Sequence, residues 1–355
     1  MNLFKKLALS AALVLPVYAN ADTISPETYA ATLAVGESVT ITKTVTIEQT
    51  VSSGVLDIVF LIDTSGSMGS VIDAAKAAAT NLLAGLSGFG NLATGTGYYS
   101  EPGSGLNTDL TTDAVAGVDA INAINLYDGG DGGDFPEEGI HAVQLAAENT
   151  SWRPGSSRFV IALGDATFKE SDGSTVASAQ AALAANGVTF IGIDFGNMTY
   201  QWDGIDPTAL ATGSGGSIVS SSANPDALIA SILAGVEDSF ATYNKVSVDD
   251  LGAGLPGVDV AVECLTADVG SCVGDSAVGS FDRSISRTFT FAVTFTGKEA
   301  GTHDFLTHGL VGGSIVASEK DVITVTGVSV PEPSSMLLLG VGLLGLGLTR
   351  RRLKA

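Results

Sequence analysis

Val55 to Ile62, VLDIVFLI, is an apolar run interrupted only by Asp57, and it stops abruptly at the acidic, hydroxyl-rich turn Asp63-Thr64-Ser65-Gly66-Ser67. A run of this length fits a strand buried on both faces, the environment that a parallel sheet provides. Asp63, Ser65 and Ser67 alternate, so a tight turn at the carboxyl end of the strand can aim three oxygen-bearing side chains at one point. Gly66 and Gly69 free the backbone for such a turn, and a helix starting there presents its amino terminus to whatever binds. Neutral and anionic oxygen donors together suit a hard divalent cation, Mg²⁺ or Mn²⁺.

The text that follows alternates apolar strands with Ala-rich helical stretches. Helices are expected over residues 71–86, 113–125, 137–149, 176–186 and 225–243, and strands over 92–99, 158–163, 188–193 and 217–220, with a long loop through the remainder of 88–106. That order defines an α/β domain over residues 55–244, a doubly wound, mostly parallel sheet whose ligands bind at the carboxyl ends of the strands. Asp63 and Asp165, the latter closing the run FVIALGD, both fall there. Residues 245–328 change character, with Val246 and Val248, Val258 to Val262, Phe289 to Phe295 and Val322 to Val325 giving alternating strands without helices, a β-sandwich composition. Residues 22–54 also alternate, with Val39, Ile41, Val45 and Ile47 separated by Thr and Lys, but they are too short to bury a core alone. The expectation is that they complete the sandwich and that the α/β domain is inserted into it; the competing arrangement is two domains in series behind an extended leader.

DIVFLIDTSGS resembles the opening of a von Willebrand factor A domain, whose D-x-S-x-S motif begins a metal-ion-dependent adhesion site. Two downstream pieces extend the resemblance. Asp134-Phe135-Pro136-Glu137 is similar to the D-x-P-E stretch of integrin β A-like domains, and Asp165 matches the family's last metal-site aspartate. The resemblance implies a Mg²⁺ centre held by Asp63, Ser65, Ser67, Glu137 and Asp165, with a second position for Ca²⁺ at Asp134 and the Pro136 carbonyl. It implies further that an acidic group of a protein or polysaccharide partner binds the metal. The glycine-rich Asp128-Gly-Gly-Asp131-Gly-Gly-Asp134 faintly resembles one Ca²⁺-binding nonapeptide repeat, but with one copy and no stacking partner the better reading of Asp128 and Asp131 is a solvated acidic loop.

With 16 Lys and Arg against 38 Asp and Glu, a formal net charge of −22, nucleic acid and anionic membrane surfaces are poor partners. Residues 1–21 carry Lys5 and Lys6, an apolar stretch and Ala19-Asn20-Ala21, the pattern of a secretory signal peptide, so Asp22 is the expected mature start. Residues 329–355 contain Pro331-Glu332-Pro333, a short apolar run over 336–348 and Arg350 to Arg352. This tripartite tail resembles the PEP-CTERM sorting signal, which implies an exosortase-type processing enzyme as partner, a transient inner-membrane anchor, and display or release outside a Gram-negative cell. Cys264 and Cys272, the two cysteines of an exported chain, are expected to pair. His141, His303 and His308 lie in no nucleophile or zinc motif, and Ser65 occupies the second acidic position of a D-x-D-x-T phosphotransferase, so no enzyme is expected. The function these features point to is metal-dependent adhesion or matrix assembly. The alternative is a structural surface or biofilm component in which the metal only stabilises the fold.

Overall fold

The computed structural model describes residues 21–49, 54–200 and 204–327. Residues 1–20 of the expected leader and the expected sorting tail lie outside these. The chain opens with strands β1 (Thr23–Ser25), β2 (Thr28–Ala34) and β3 (Ser38–Ile47). An α/β unit follows: β4 (Val55–Asp63), α1 (Gly69–Leu86), β5 (Asn91–Tyr99), β6 (Ser104–Thr111), α2 (Ala114–Ala123), α3 (Gly139–Asn149), β7 (Ser157–Gly164), α4 (Val176–Asn186), β8 (Val188–Asp194), α5 (Thr208–Gly213), β9 (Ile218–Ser220) and α6 (Pro225–Ser239). It ends with β10 (Thr242–Asp249), β11 (Val258–Thr266), β12 (Ser271–Val273), β13 (Ser276–Asp282), β14 (Arg287–Gly297), β15 (Gly301–Val311) and β16 (Ser314–Thr326).

The α/β sheet has the order β6-β5-β4-β7-β8-β9, parallel except for the antiparallel pair β5–β6. β4 is central because both its faces are apolar. Leu56, Ile58, Phe60 and Ile62 pack with Ile72, Leu83 and Leu86 of α1 and Leu228 and Ile232 of α6. Val59 and Leu61 point the other way, toward Ile140 and Val143 of α3 and Leu183 of α4. The chain winds outward from β4 to β5 and β6, then crosses back to β7 on the other side, so the switch point lies between β4 and β7. Local signals fix several helix ends. Asp113 accepts hydrogen bonds from Val115 N and Ala116 N, Thr175 and Ser178 form a capping box, and Gly187 closes α4 in the left-handed region at φ 59°.

Three boundaries differ from expectation, each for a physical reason. Residues 104–111 form an edge strand rather than a loop, hidden in the sequence because its polar residues face solvent. The helix expected to begin at Glu137 begins at Gly139, because Glu137 is extended and bridges Phe168. The last helix stops at Ser239, and Tyr243, expected inside it, belongs to β10. The short helix α5 was not anticipated.

The remaining strands form two sheets, β1-β3-β14-β11 and β12-β13-β10-β15-β16-β2. They enclose one core that joins Val45, Ile47, Phe289 and Phe291 of the first to Val246, Phe305, Ile323 and Val325 of the second. Thus the strands before the α/β unit pair with strands after it: β3 lies antiparallel to β14, and β2 runs parallel to β16. Cys264 and Cys272 form a disulfide between β11 and β12. The sheets meet the α/β unit at the start of β16, where Gly54 N donates to Ile315 O (2.7 Å) and Ile315 N to Gly155 O (2.7 Å).

Asp57, the one charge in the β4 run, is fully buried and held by Arg153, whose Nε and backbone N donate to its two carboxylate oxygens at 2.6 and 2.8 Å. Arg153 also donates to Leu56 O and Asn91 O, tying β4 to β5 at the amino end of the sheet. Asp57→Ala, which strands the guanidinium, is expected to destabilise the fold by about 3 kcal/mol in urea unfolding; a loss below about 1 kcal/mol would show the pair to be dispensable.

Candidate metal centre

The strand ends deliver the donors. β4 ends at Asp63, paired in register with Tyr99 of β5, and β7 ends one residue before Asp165. Asp63 is fully buried, and its Oδ1 accepts from Ser65 N (2.8 Å), which folds the turn back over the strand end. Ser65 Oγ lies 3.3 Å from Ser67 Oγ, and Ser67 Oγ donates to Asp165 Oδ1 (3.0 Å). Asp63, Ser65, Ser67 and Asp165 therefore form a connected row of oxygens across the switch point.

Glu137 arrives from the opposite side. Its backbone is pinned, Glu137 N donating to Thr167 O (2.9 Å) and Lys169 N to Glu137 O (2.8 Å). Gly132 sits between Glu137 and the turn at φ +91°, and a Cβ there would lie 2.8 Å from Glu137 Oε1 and 2.7 Å from Ser65 Cβ. Only glycine permits that approach. The acidic Gly-rich loop thus packs on the turn, Gly66 N donating to Asp131 O and Tyr127 N to Thr64 O. Asp128 is used within the loop, accepting from Asn125 N at 2.7 Å.

Electrostatics set this row apart from an ordinary polar turn. Desolvation, opposed by hydrogen bonds from Ser65, pushes the Asp63 carboxyl up to about 7. Desolvation and the charge of Asp63 push Glu137 up to about 8, and burial raises Asp165 as well. Asp63 Oδ2 and Glu137 Oε2 are buried and accept no hydrogen bond. Among the described residues no three His, Cys, Asp or Glu side chains form a metal-binding group by themselves. A cation here would therefore use the Ser65 and Ser67 hydroxyls together with the carboxylates. The donor set fits one: all oxygens, mixed in charge, with two buried acceptors left over.

The structure does not add Asp134 and Pro136 to this row. Lys169 Nζ donates to Asp134 Oδ1 (2.8 Å) and pairs with Glu101, and Asp134 N donates to Glu101 Oε2 (2.9 Å). The Asp134 side chain is exposed, and Pro136 is buried beside Glu137 in the chain. Three residues escaped the sequence reading. Tyr99, fully buried, donates to Leu163 O (3.0 Å), and its hydroxyl is pushed well above the usual range by burial and then by the charges of Asp63, Glu137, Asp165 and Asp194. Asp194, at the end of β8, accepts from Gly196 N and Met198 N and adds to the negative field at Asp165. Thr167 is buried with an unpartnered hydroxyl. Asp194 was legible by the same rule as Asp63, an acid closing an apolar strand.

A parallel α/β sheet with an oxygen-lined crevice at its switch point is the class of unit defined so far. Residues 57–196 match the family model of the von Willebrand factor A domain, and residues 329–352 match the PEP-CTERM protein-sorting motif. The sorting motif implies exosortase-type processing at the carboxyl end and export to the cell envelope of a Gram-negative bacterium. No curated protein matches the chain. Among solved structures, it is similar to a von Willebrand factor type A protein from Catenulispora acidiphila (14% identity, TM-score 0.43, covering 91% of this chain and 77% of that one). It is also similar to an aerotolerance-related membrane protein from Bacteroides fragilis (19%, TM-score 0.32, 39% of this chain and 67% of that one). A third likeness is proximal thread matrix protein 1 from the mussel byssus (14%, TM-score 0.39, 57% of this chain and 48% of that one).

The raised carboxyls carry a pH dependence whose sign follows from linkage. Unfolded, Asp63 and Glu137 titrate near 3.8 and 4.5; folded, they hold their protons to about 7 and about 8. Their contribution to stability is fully present below the unfolded values and is lost as pH rises through the folded ones. Metal-free wild type, measured against Asp63→Asn, is expected to lose on the order of a few kcal/mol between about pH 4 and about pH 8. Mg²⁺ should restore most of the loss at the upper end. Calorimetric melting with chelator or Mg²⁺ checks this, and parallel profiles for the two proteins would exclude it.

Proposed function

We propose that this is an exported, non-enzymatic adhesion or matrix protein that binds an acidic group of a protein or polysaccharide partner at a Mg²⁺ (or Mn²⁺) centre. Asp63, Ser65, Ser67, Glu137 and Asp165 would hold the cation, which when bound offers an acidic ligand a coordination position in exchange for water. The observation that carries the reading is the pair of buried carboxylate oxygens, on Asp63 and Glu137, that accept no hydrogen bond at the mouth of a parallel sheet. The chain's own residues do the preparatory work: Gly132 lets Glu137 close on the turn, Ser67 orients Asp165, and Tyr99 holds the β7 strand end beside Asp63. A Ca²⁺ at Asp134 and Pro136 would have to displace Lys169, which already supplies positive charge there.

The match to the sorting motif supports export, and placement at the surface or in the extracellular matrix belongs to the same proposal. So does the domain plan, in which residues 22–54 and 245–328 make one β-sandwich that carries the α/β unit of residues 55–244 as an insertion. Pairing of β3 with β14 and of β2 with β16 supports it. The complete burial of Asp63 favours a second reading, in which the cation only stiffens a structural surface component.

Calorimetric titration of the full chain with Mg²⁺ is expected to show saturable binding that Asp63→Ala abolishes without loss of the folded circular-dichroism signal. Equal binding by both proteins would refute the metal centre. Adhesion to an acidic polysaccharide separates the two readings: Asp63→Ala with Glu137→Ala should abolish it under the first, whereas adhesion retained by a folded, metal-free double variant would establish the second.

A further inference from the structure

Lys43, Glu319 and Asp321 meet inside the core between the two large sheets, and all three are buried, at 0%, 1% and 0% exposure. Lys43 rises from β3 in one sheet, and Glu319 and Asp321 project from β16 in the other. Lys43 Nζ lies against Glu319 Oε1 and is 2.9 and 3.1 Å from Asp321 Oδ2 and Oδ1. The two carboxyls are not equivalent. Asp321 accepts both from Lys43 and from the hydroxyl of Thr307, itself fully buried on β15, whereas Glu319 meets the Lys43 amine through Oε1 and its Oε2 has no hydrogen-bond partner. The Phe295 ring stands 5.0 Å from the amine and stacks with Tyr29, so the surroundings are aromatic and dry.

As an ion cluster this is a poor arrangement. One ammonium and two carboxylates leave an unbalanced charge, and each ion withdrawn from water loses several kcal/mol of hydration. Burial also holds the Lys43 amine below its usual range, which enlarges its neutral, nucleophilic fraction. A neutral amine in contact with a carboxyl group, beside a hydrogen-bonded carboxylate and away from water, is the geometry of a condensation.

We propose that Lys43 Nζ and Glu319 Cδ join in an intramolecular isopeptide bond, with Asp321 carrying the protons. Asp321 passes a proton from the Lys43 ammonium to the Glu319 carboxylate, and the freed lone pair then attacks Cδ of the protonated Glu319 to give a tetrahedral adduct. A second proton passes from nitrogen through Asp321 to the departing hydroxyl. The C–O bond breaks, the C–N bond remains, and one water leaves. No oxidant or co-reactant is consumed. In the product Asp321 stays a carboxylate, with Thr307 and the new amide N–H as its donors. The bond would staple the two sheets through their shared core and close a loop that contains the whole α/β unit.

Intact mass spectrometry of the full chain, reduced and denatured, tests this directly, because the reading is made on wild type and needs no variant to fold. The expected mass is one water below that of the reduced sequence between its measured termini. A tryptic digest should contain a branched peptide joining Lys43 to Glu319, with no cleavage after Lys43. Lys43→Ala and Glu319→Ala should each have full mass. Glu319→Gln should form the same bond by releasing ammonia, giving the wild-type mass, and Asp321→Ala should keep both partners unjoined. A wild-type chain of full mass overturns the proposal, as does a branch mapped to Asp321, which would make Glu319 the proton carrier instead.

Discussion

Withdrawal of the Asp63 and Glu137 carboxyls from water is the constraint to which the α/β unit is fitted. Two such groups draw apart or take up protons, and a fixed backbone leaves only the second course. Here the backbone is rigid on both sides. Asp63 closes a strand hydrogen-bonded to β5 and β7, and Glu137 is clamped between Thr167 and Lys169. Gly132, with no side chain, lets Glu137 close on Ser65 of the turn that follows Asp63. A desolvation cost of this kind is borne by a scaffold whose own stability lies elsewhere, in the two apolar layers that cover β4.

Much of that scaffold could be read from residue order. A continuous apolar strand ending in Asp63 and another ending before Asp165 announce a parallel sheet and the edge where its chemistry sits. Glu137 was found through its neighbours Asp134 and Pro136, yet its conformation was misjudged, because a bridge to Phe168 is a tertiary contact that local propensity does not encode. Tyr99 was missed because an aromatic at a strand end is usually just core; only its register opposite Asp63 marks it. Asp134 was assigned through a motif match, and what the residue order does not reveal is its partner Lys169, remote in sequence, which donates to its carboxylate.

Lys43 is the most instructive residue in this respect. In VTITKTVTI, it reads with the threonines as a polar spacer, but it shares the parity of Val39, Ile41, Val45 and Ile47 and therefore faces inward. Glu319 and Asp321 likewise share the parity of Ile323 and Val325. A charge on the apolar face of a strand signals a partner across the core, and three on two facing strands signal each other. Period-two counting locates such charges even where it cannot say what they meet.

The way β16 is placed has a mechanical consequence. Its first residues, at Ile315, grip the α/β unit, and the chain beyond Thr326 leaves from its other end. A pull on the carboxyl end, resisted at the crevice, therefore runs along the axis of β16. Its hydrogen bonds to β15 and to β2 are then loaded in shear, many at once, rather than peeled one after another from an end. The parallel pairing of β2 with β16 thus makes this strand a tie rod between the α/β unit and Thr326, strongest along its own axis.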